Sequence, residues 1–132
     1  MRKTAIAILM VAIPAFSAAP ASGVRPGPVQ ASIAEATLVE GGAAALVSVS
    51  VRCAGGSDVL EAFVYVTQQG QQSPFAPIQI RCGGRARTYV VRVPSPEGTT
   101  FQVGTASASG FVLVEKKGTV TSASPSQTLT LS

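Results

Sequence analysis

The sequence predicts an all-β fold, an antiparallel sandwich of two sheets with about seven strands. Three observations lead there. Apolar and polar residues alternate with a period of two along successive short runs, turn residues separate those runs roughly every ten to fifteen positions, and no stretch carries a helical period. With 132 residues, 46% of them apolar and 12% charged, the chain is rich enough to bury a core and short enough for one domain.

The first segment is not part of that sandwich. Arg2 and Lys3 precede an apolar run from Ala5 to Ile13, then Pro14 and a stretch of small residues to Gly23, which reads as a secretory signal peptide over residues 1–21. Ala19-Pro20-Ala21 offers small side chains at the cleavage positions, so Ser22 is expected as the first mature residue. The run is shorter than the roughly 20 residues that cross a bilayer, and no later stretch replaces it, so no transmembrane anchor is expected. Residues 22–30 hold Pro26 and Pro28 and read as a flexible leader; the sandwich domain is expected over 31–132.

The strands follow in order. The first is expected from Ile33 to Val39. From Ala45 to Cys53 the residues Val47, Val49, Val51 and Cys53 fall on one face and Ser48, Ser50 and Arg52 on the other, as in a strand with one buried side. From Leu60 to Gln69 the inward set is expected to be Leu60, Ala62, Val64 and Val66, leaving Glu61, Phe63, Tyr65 and Thr67 outward. Ala76, Ile78, Ile80 and Cys82 suggest another strand, and Tyr89, Val91 and Val93 a further one, alternating with Thr88, Val90 and Arg92. Phe101 to Val114 and Gln127 to Leu131 complete the set. Gly104 reads as a bulge, and the small residues from Gly104 to Gly110 as close packing between sheets. The Ser/Thr-rich stretch after Thr119 reads as a loop before the final strand, and Gln68 to Gln72 as a soluble hairpin tip.

Outside the cytoplasm, two cysteines 29 positions apart are expected to form a structural disulfide, Cys53 to Cys82, because redox pairs normally keep Cys-X-X-Cys spacing. The absence of His removes histidine bases and histidine metal ligands, and the absence of Asn removes N-glycosylation. Among the acids, only Asp58 and Glu61 are placed to meet at a loop end, too few for a calcium site. No cofactor is expected. The chain carries ten Lys and Arg against six Asp and Glu, and eight against six once the signal is removed, too even a balance for a nucleic-acid surface.

Two groups remain as candidate binding surfaces. Arg81, Arg85, Arg87 and Arg92 lie within one short segment with no acid between Glu61 and Glu97, which makes a locally positive hairpin with all four on one surface. Guanidinium groups there suit anionic wall polymers or carboxylates of a partner. Phe63 and Tyr65, outward on their strand, are the second group.

The runs Ala36-Thr37-Leu38-Val39, Val47 to Cys53, Val66-Thr67-Gln68, Ile80-Arg81-Cys82-Gly83-Gly84 and Phe101 to Ala106 resemble the uncharacterised small secreted immunoglobulin-like β-sandwich proteins of actinobacteria. The resemblance extends from about Ala31 to Val114. It implies export, an immunoglobulin-like order of strands and a disulfide, and brings no catalytic motif. The chain departs from that pattern in having no second cysteine pair in residues 115–126, and it lacks the buried Trp of antibody domains. The expected function is a secreted, noncatalytic binding or interaction module, a monomer whose partner is an unknown protein or a cell-envelope component. The alternatives are a secreted enzyme inhibitor, with Gln68 to Pro77 as its loop, and a carrier of a small apolar ligand.

Overall fold

The protein's computed structural model describes residues 29–132. The expected signal peptide and residues 22–28 of the expected leader lie outside the described residues. Nine strands follow one another: β1 (Val29–Val39), β2 (Ala44–Cys53), β3 (Asp58–Gln68), β4 (Gln71–Gln72), β5 (Ala76–Pro77), β6 (Ala86–Pro94), β7 (Gly104–Lys116), β8 (Thr119–Ala123) and β9 (Ser126–Leu131). They form two antiparallel sheets. The smaller has the order β1–β2–β6. In the larger, β7 pairs with β3; β8 and β9 follow one another along the far edge of β7, and β4 and β5 along the far edge of β3.

The inward stripes of the two sheets share one core, to which β2 gives Val47, Val49, Val51 and Cys53, β3 gives Val64 and Val66, and β6 gives Val91 and Val93. β7 adds Ala106, Ala108, Val112 and Val114, all buried. Burying a valine side chain contributes about 1.5–3 kcal/mol, so these stripes are the main source of stability. Small Ala106 and Ala108 sit where the first half of β7 meets β9, whose Leu131 is fully buried against the core. Along that side the sheets also touch directly, the Leu38 N–H donating to the Ser132 carbonyl at 2.9 Å.

Turns fall where glycine allows them. Gln69-Gly70, with φ of 53° and 78°, joins β3 to β4, and Lys117-Gly118, at 52° and 81°, joins β7 to β8. Both are two-residue links with positive φ at both positions, the turn whose twist suits a hairpin. A single 3-10 turn, Glu40–Gly42, joins β1 to β2. Gly42 has φ 93°, and a Cβ there would run into the Phe101 carbonyl oxygen, while the Phe101 N–H donates to Gly42 O at 2.8 Å.

Five local expectations are corrected. β1 begins at Val29, so Val29 and Gln30 pair with Cys53 and Arg52 instead of belonging to a leader. In β3 the register with β7 shifts between Val59 and Glu61; Leu60 is the extra residue, half exposed at 51%, and Val59 takes the inward place. Only Ala76–Pro77 of the segment to Cys82 pairs as a strand. Ile78 is nevertheless buried and Ile80 packs on the core, because the segment closes the open side of the sandwich; the Tyr89 hydroxyl accepts from Arg81 N–H at 3.0 Å and donates to its carbonyl at 3.4 Å, in place of a ladder. Gly104 opens β7 with φ 140°, without a bulge. Thr119–Ala123 is a strand on β7, its polar composition reflecting an edge position.

The disulfide joins Cys53, the last residue of β2, to Cys82 on the closing segment, with Cα atoms 4.9 Å apart. Beside it the Gly84 N–H donates to the Cys53 carbonyl at 2.8 Å. The bridge therefore ties the smaller sheet to the segment arriving from the larger one. Replacing both cysteines by alanine is expected to lower the unfolding free energy by about 3–4 kcal/mol, the loop-closure value for a loop of this size, as read by urea denaturation with unchanged circular dichroism.

Candidate functional site

The outward face of the larger sheet carries the most distinctive surface of the molecule. Register places Phe63 opposite Phe111 and Tyr65 opposite Ser109, so alternation that turns valines inward turns these side chains outward. Phe63 and Phe111 have ring centroids 5.8 Å apart and Phe63 and Tyr65 6.4 Å. A fourth ring arrives from the connection between β4 and β5: Phe75 stacks on Phe63 at 4.5 Å with planes 4° apart and lies 5.0 Å from Tyr65. Phe63, Tyr65 and Phe111 are thereby half-buried, while Phe75 remains 55% exposed.

Ser73 holds this connection in place. Its buried hydroxyl accepts from the Val66 N–H at 2.9 Å and donates to the Pro74 carbonyl at 3.0 Å, while its own N–H donates to Val66 O at 2.8 Å. Five residues further on, Ile78 N–H donates to Ala62 O at 3.1 Å. Phe75 is thus presented between two fixed points. On the other side of the rings, Gly110 lets Pro125 approach: a Cβ there would lie 3.5 Å from Pro125 Cγ and 3.0 Å from Phe63 O. Between the two walls runs an open groove of about 380 Å³, lined by the four rings, Gly110, Pro125 and the serines Ser109, Ser124 and Ser126, with no charged side chain.

Of these residues, Phe63 and Tyr65 are expected from the sequence, and the structure brings them together. Phe111 is legible in retrospect, since it alternates with the inward Val112 and Val114. Phe75 is not, because it lies in an irregular connection whose path depends on Ser73.

The four arginines are distributed differently from expectation. The closing segment does not form a hairpin with β6, so Arg81 and Arg85 lie on it and on the turn after the disulfide. Arg87 is the second residue of β6, close to Gly83, a Cβ on which would be 3.7 Å from Arg87 Nη2. Arg92 is five residues along the same extended strand, roughly 17 Å away at about 3.3 Å per residue. There it makes a two-pronged ion pair with Glu40, Nε to Oε2 at 2.8 Å and Nη2 to Oε1 at 2.6 Å. The hydrogen bonds from Arg92 hold the Glu40 carboxyl below its ordinary value, and Glu40 in turn raises Arg92. Arg92 therefore belongs to the closure of the β1–β2 turn, and the four side chains do not share one surface. Arg81, Arg85 and Arg87 stay together at the disulfide end, all exposed, near Arg52.

Asp58 pairs in register with Glu115, and Glu61 sits beyond the bulge opposite Leu113. Among the described residues no three His, Cys, Asp or Glu side chains come together as a metal site would require, and no helix is long and apolar enough to cross a membrane. The Ser73 arrangement gives a direct test. Ser73→Ala leaves the buried Val66 N–H without its hydroxyl acceptor, and is expected to cost about 1–3 kcal/mol in denaturant unfolding and to sharpen the Phe75 ring signals as the connection loosens in solution NMR.

No family model, curated protein or solved structure matches the chain.

Proposed function

We propose that the protein is exported and acts outside the cytoplasm as a noncatalytic binding module of the immunoglobulin-like kind, with the outer face of the larger sheet as its binding surface. The observation that carries the reading is the set of four neighbouring rings lining a groove without charged side chains, one of them more than half exposed. Packing of the core has no need of them, since the opposite face of the same strands supplies it. Exposed aromatic clusters on a fixed scaffold are the usual anchors of recognition surfaces.

Supporting the rest are the signal-like first 21 residues, the disulfide, and the resemblance to small secreted proteins of actinobacteria. The order β1–β2–β6 against β9–β7–β3–β4 is compatible with an immunoglobulin-like sandwich, although the bridge joins β2 to the segment before β6 instead of crossing between the sheets. A second reading, a secreted enzyme inhibitor, has one specific observation in its favour: the Ser73-tied connection presents Phe75 as a rigid loop would present an inserting side chain.

The test expresses the full sequence, confirms release with an N-terminus near Ser22, and measures saturable binding of the released protein to culture-supernatant proteins, cell-envelope fractions and a panel of secreted hydrolases. Phe75→Ser is expected to weaken whichever binding is found by at least tenfold, since hot-spot aromatics contribute about 2 kcal/mol or more. Retention of the wild-type and Phe75→Ser proteins to the same extent would overturn the assignment of this surface.

A further inference from the structure

The rings are only half of the outer face. Alternation along β7 turns Thr105, Ser107 and Ser109 outward, and register sets them opposite Thr130, Thr128 and Ser126 of β9, with Thr67 of β3 on the other side of Ser107. Seven hydroxyls therefore stand in rows beside the aromatic cluster, about 4.8 Å apart across strands and about 6.7 Å apart along them. Ser109 and Ser126 lie 3.2 Å from each other. The hydroxyls of Thr67, Thr105, Ser107, Thr128 and Thr130 have no partner among the described residues, and all five residues are exposed or half-exposed.

We propose that this face binds a neutral polysaccharide strand lying across β3, β7 and β9, which rests on the binding reading above and names its ligand class. A sugar ring has an apolar C–H face and a rim of hydroxyl groups. Phe75, stacked over Phe63 and more than half exposed, matches the first together with Tyr65 beside it, since C–H groups pack favourably on the electron-rich face of an aromatic ring. The Ser and Thr rows match the second, because each hydroxyl both donates and accepts, as each sugar hydroxyl does.

Charge argues for the neutral ligand. From Phe63 and Phe111 to Thr105 and Thr130 the face carries no Asp, Glu, Lys or Arg, whereas Arg52, Arg81, Arg85 and Arg87 lie at the disulfide end. A polyanion would find its counter-charges there and none here. An extended peptide is also a poorer match, since strand addition needs an unpaired sheet edge, and on this face the central β7 is paired on both sides. A small apolar molecule needs an enclosing cavity, and the groove is open along its length.

Affinity gel electrophoresis of the purified protein in gels containing cellulose ether, xylan, mannan, neutral glucan or, as the anionic comparison, polygalacturonate tests the proposal. Retardation by at least one neutral polysaccharide is expected. It should weaken at least tenfold in Phe75→Ala and severalfold in Thr128→Val plus Thr130→Val, and stay unchanged in Arg85→Ser plus Arg87→Ser. All the substituted residues are exposed, and thermal unfolding checks that each variant stays folded. Retardation by polygalacturonate alone, or by no polysaccharide, would overturn the glycan assignment, as would neutral-glycan retardation that survives Phe75→Ala. If Phe75→Ser abolishes binding to a protein or envelope fraction while every neutral polysaccharide fails, the glycan assignment falls and the binding surface stands.

Discussion

One pairing organises the molecule: β3 against β7, with Phe63 opposite Phe111, Tyr65 opposite Ser109 and Thr67 opposite Ser107. Because side chains alternate between the faces of a strand, this register decides two things at once. It sends Val64, Val66, Ala108, Val112 and Val114 into the core, and it sends the rings and hydroxyls to the opposite face. A slip of β3 by one residue would bury Phe63 and Tyr65 and expose Val64 and Val66. The cost of exposing those apolar side chains fixes the register, and with it the candidate binding surface.

The other features hang on this pair. β9 and β8 extend the sheet beyond β7, adding the hydroxyl rows and Pro125; β4 and β5 extend it beyond β3, adding Phe75. The small side chains in the first half of β7 serve both sides. Ala106 and Ala108 let the sheets approach beneath, while Gly110 lets Pro125 settle beside Phe63 above. At the far end of the core, Gln68 joins β3 to the approach to β7, its carboxamide accepting from Gln102 N–H at 2.9 Å and donating to Gln102 O at 2.8 Å. The disulfide does similar service for the smaller sheet.

Legibility in the sequence followed the physics of each element. The β2 and β6 stripes could be read because alternation there is unbroken and one face is wholly apolar. The start of β3 misled because a bulge adds a residue, which reverses the face of everything before it. The segment from Ile78 to Cys82 alternates as a strand does, since burial against a sandwich side imposes the same period as a ladder, but periodicity does not reveal whether the backbone is paired. Thr119–Ala123 was hidden because an edge strand needs little apolar surface. The arginine grouping failed for a related reason: nearness in sequence is not nearness in space along an extended strand, and Arg92 had a partner, Glu40, 52 positions away. Of the candidate site, the outward pair Phe63 and Tyr65 was legible from alternation, whereas Phe75 depended on a buried serine in an irregular connection.

The central claim is that one register separates a buried aliphatic face from an exposed aromatic and hydroxyl face. Paramagnetic broadening by a soluble, uncharged probe, read residue by residue in side-chain NMR spectra, tests it most directly. The account predicts strong broadening of the Phe75 ring, intermediate broadening of Phe63, Tyr65 and Phe111, and little for the methyl groups of Val64, Val66, Val112 and Val114. Protected rings together with broadened valine methyls would contradict it.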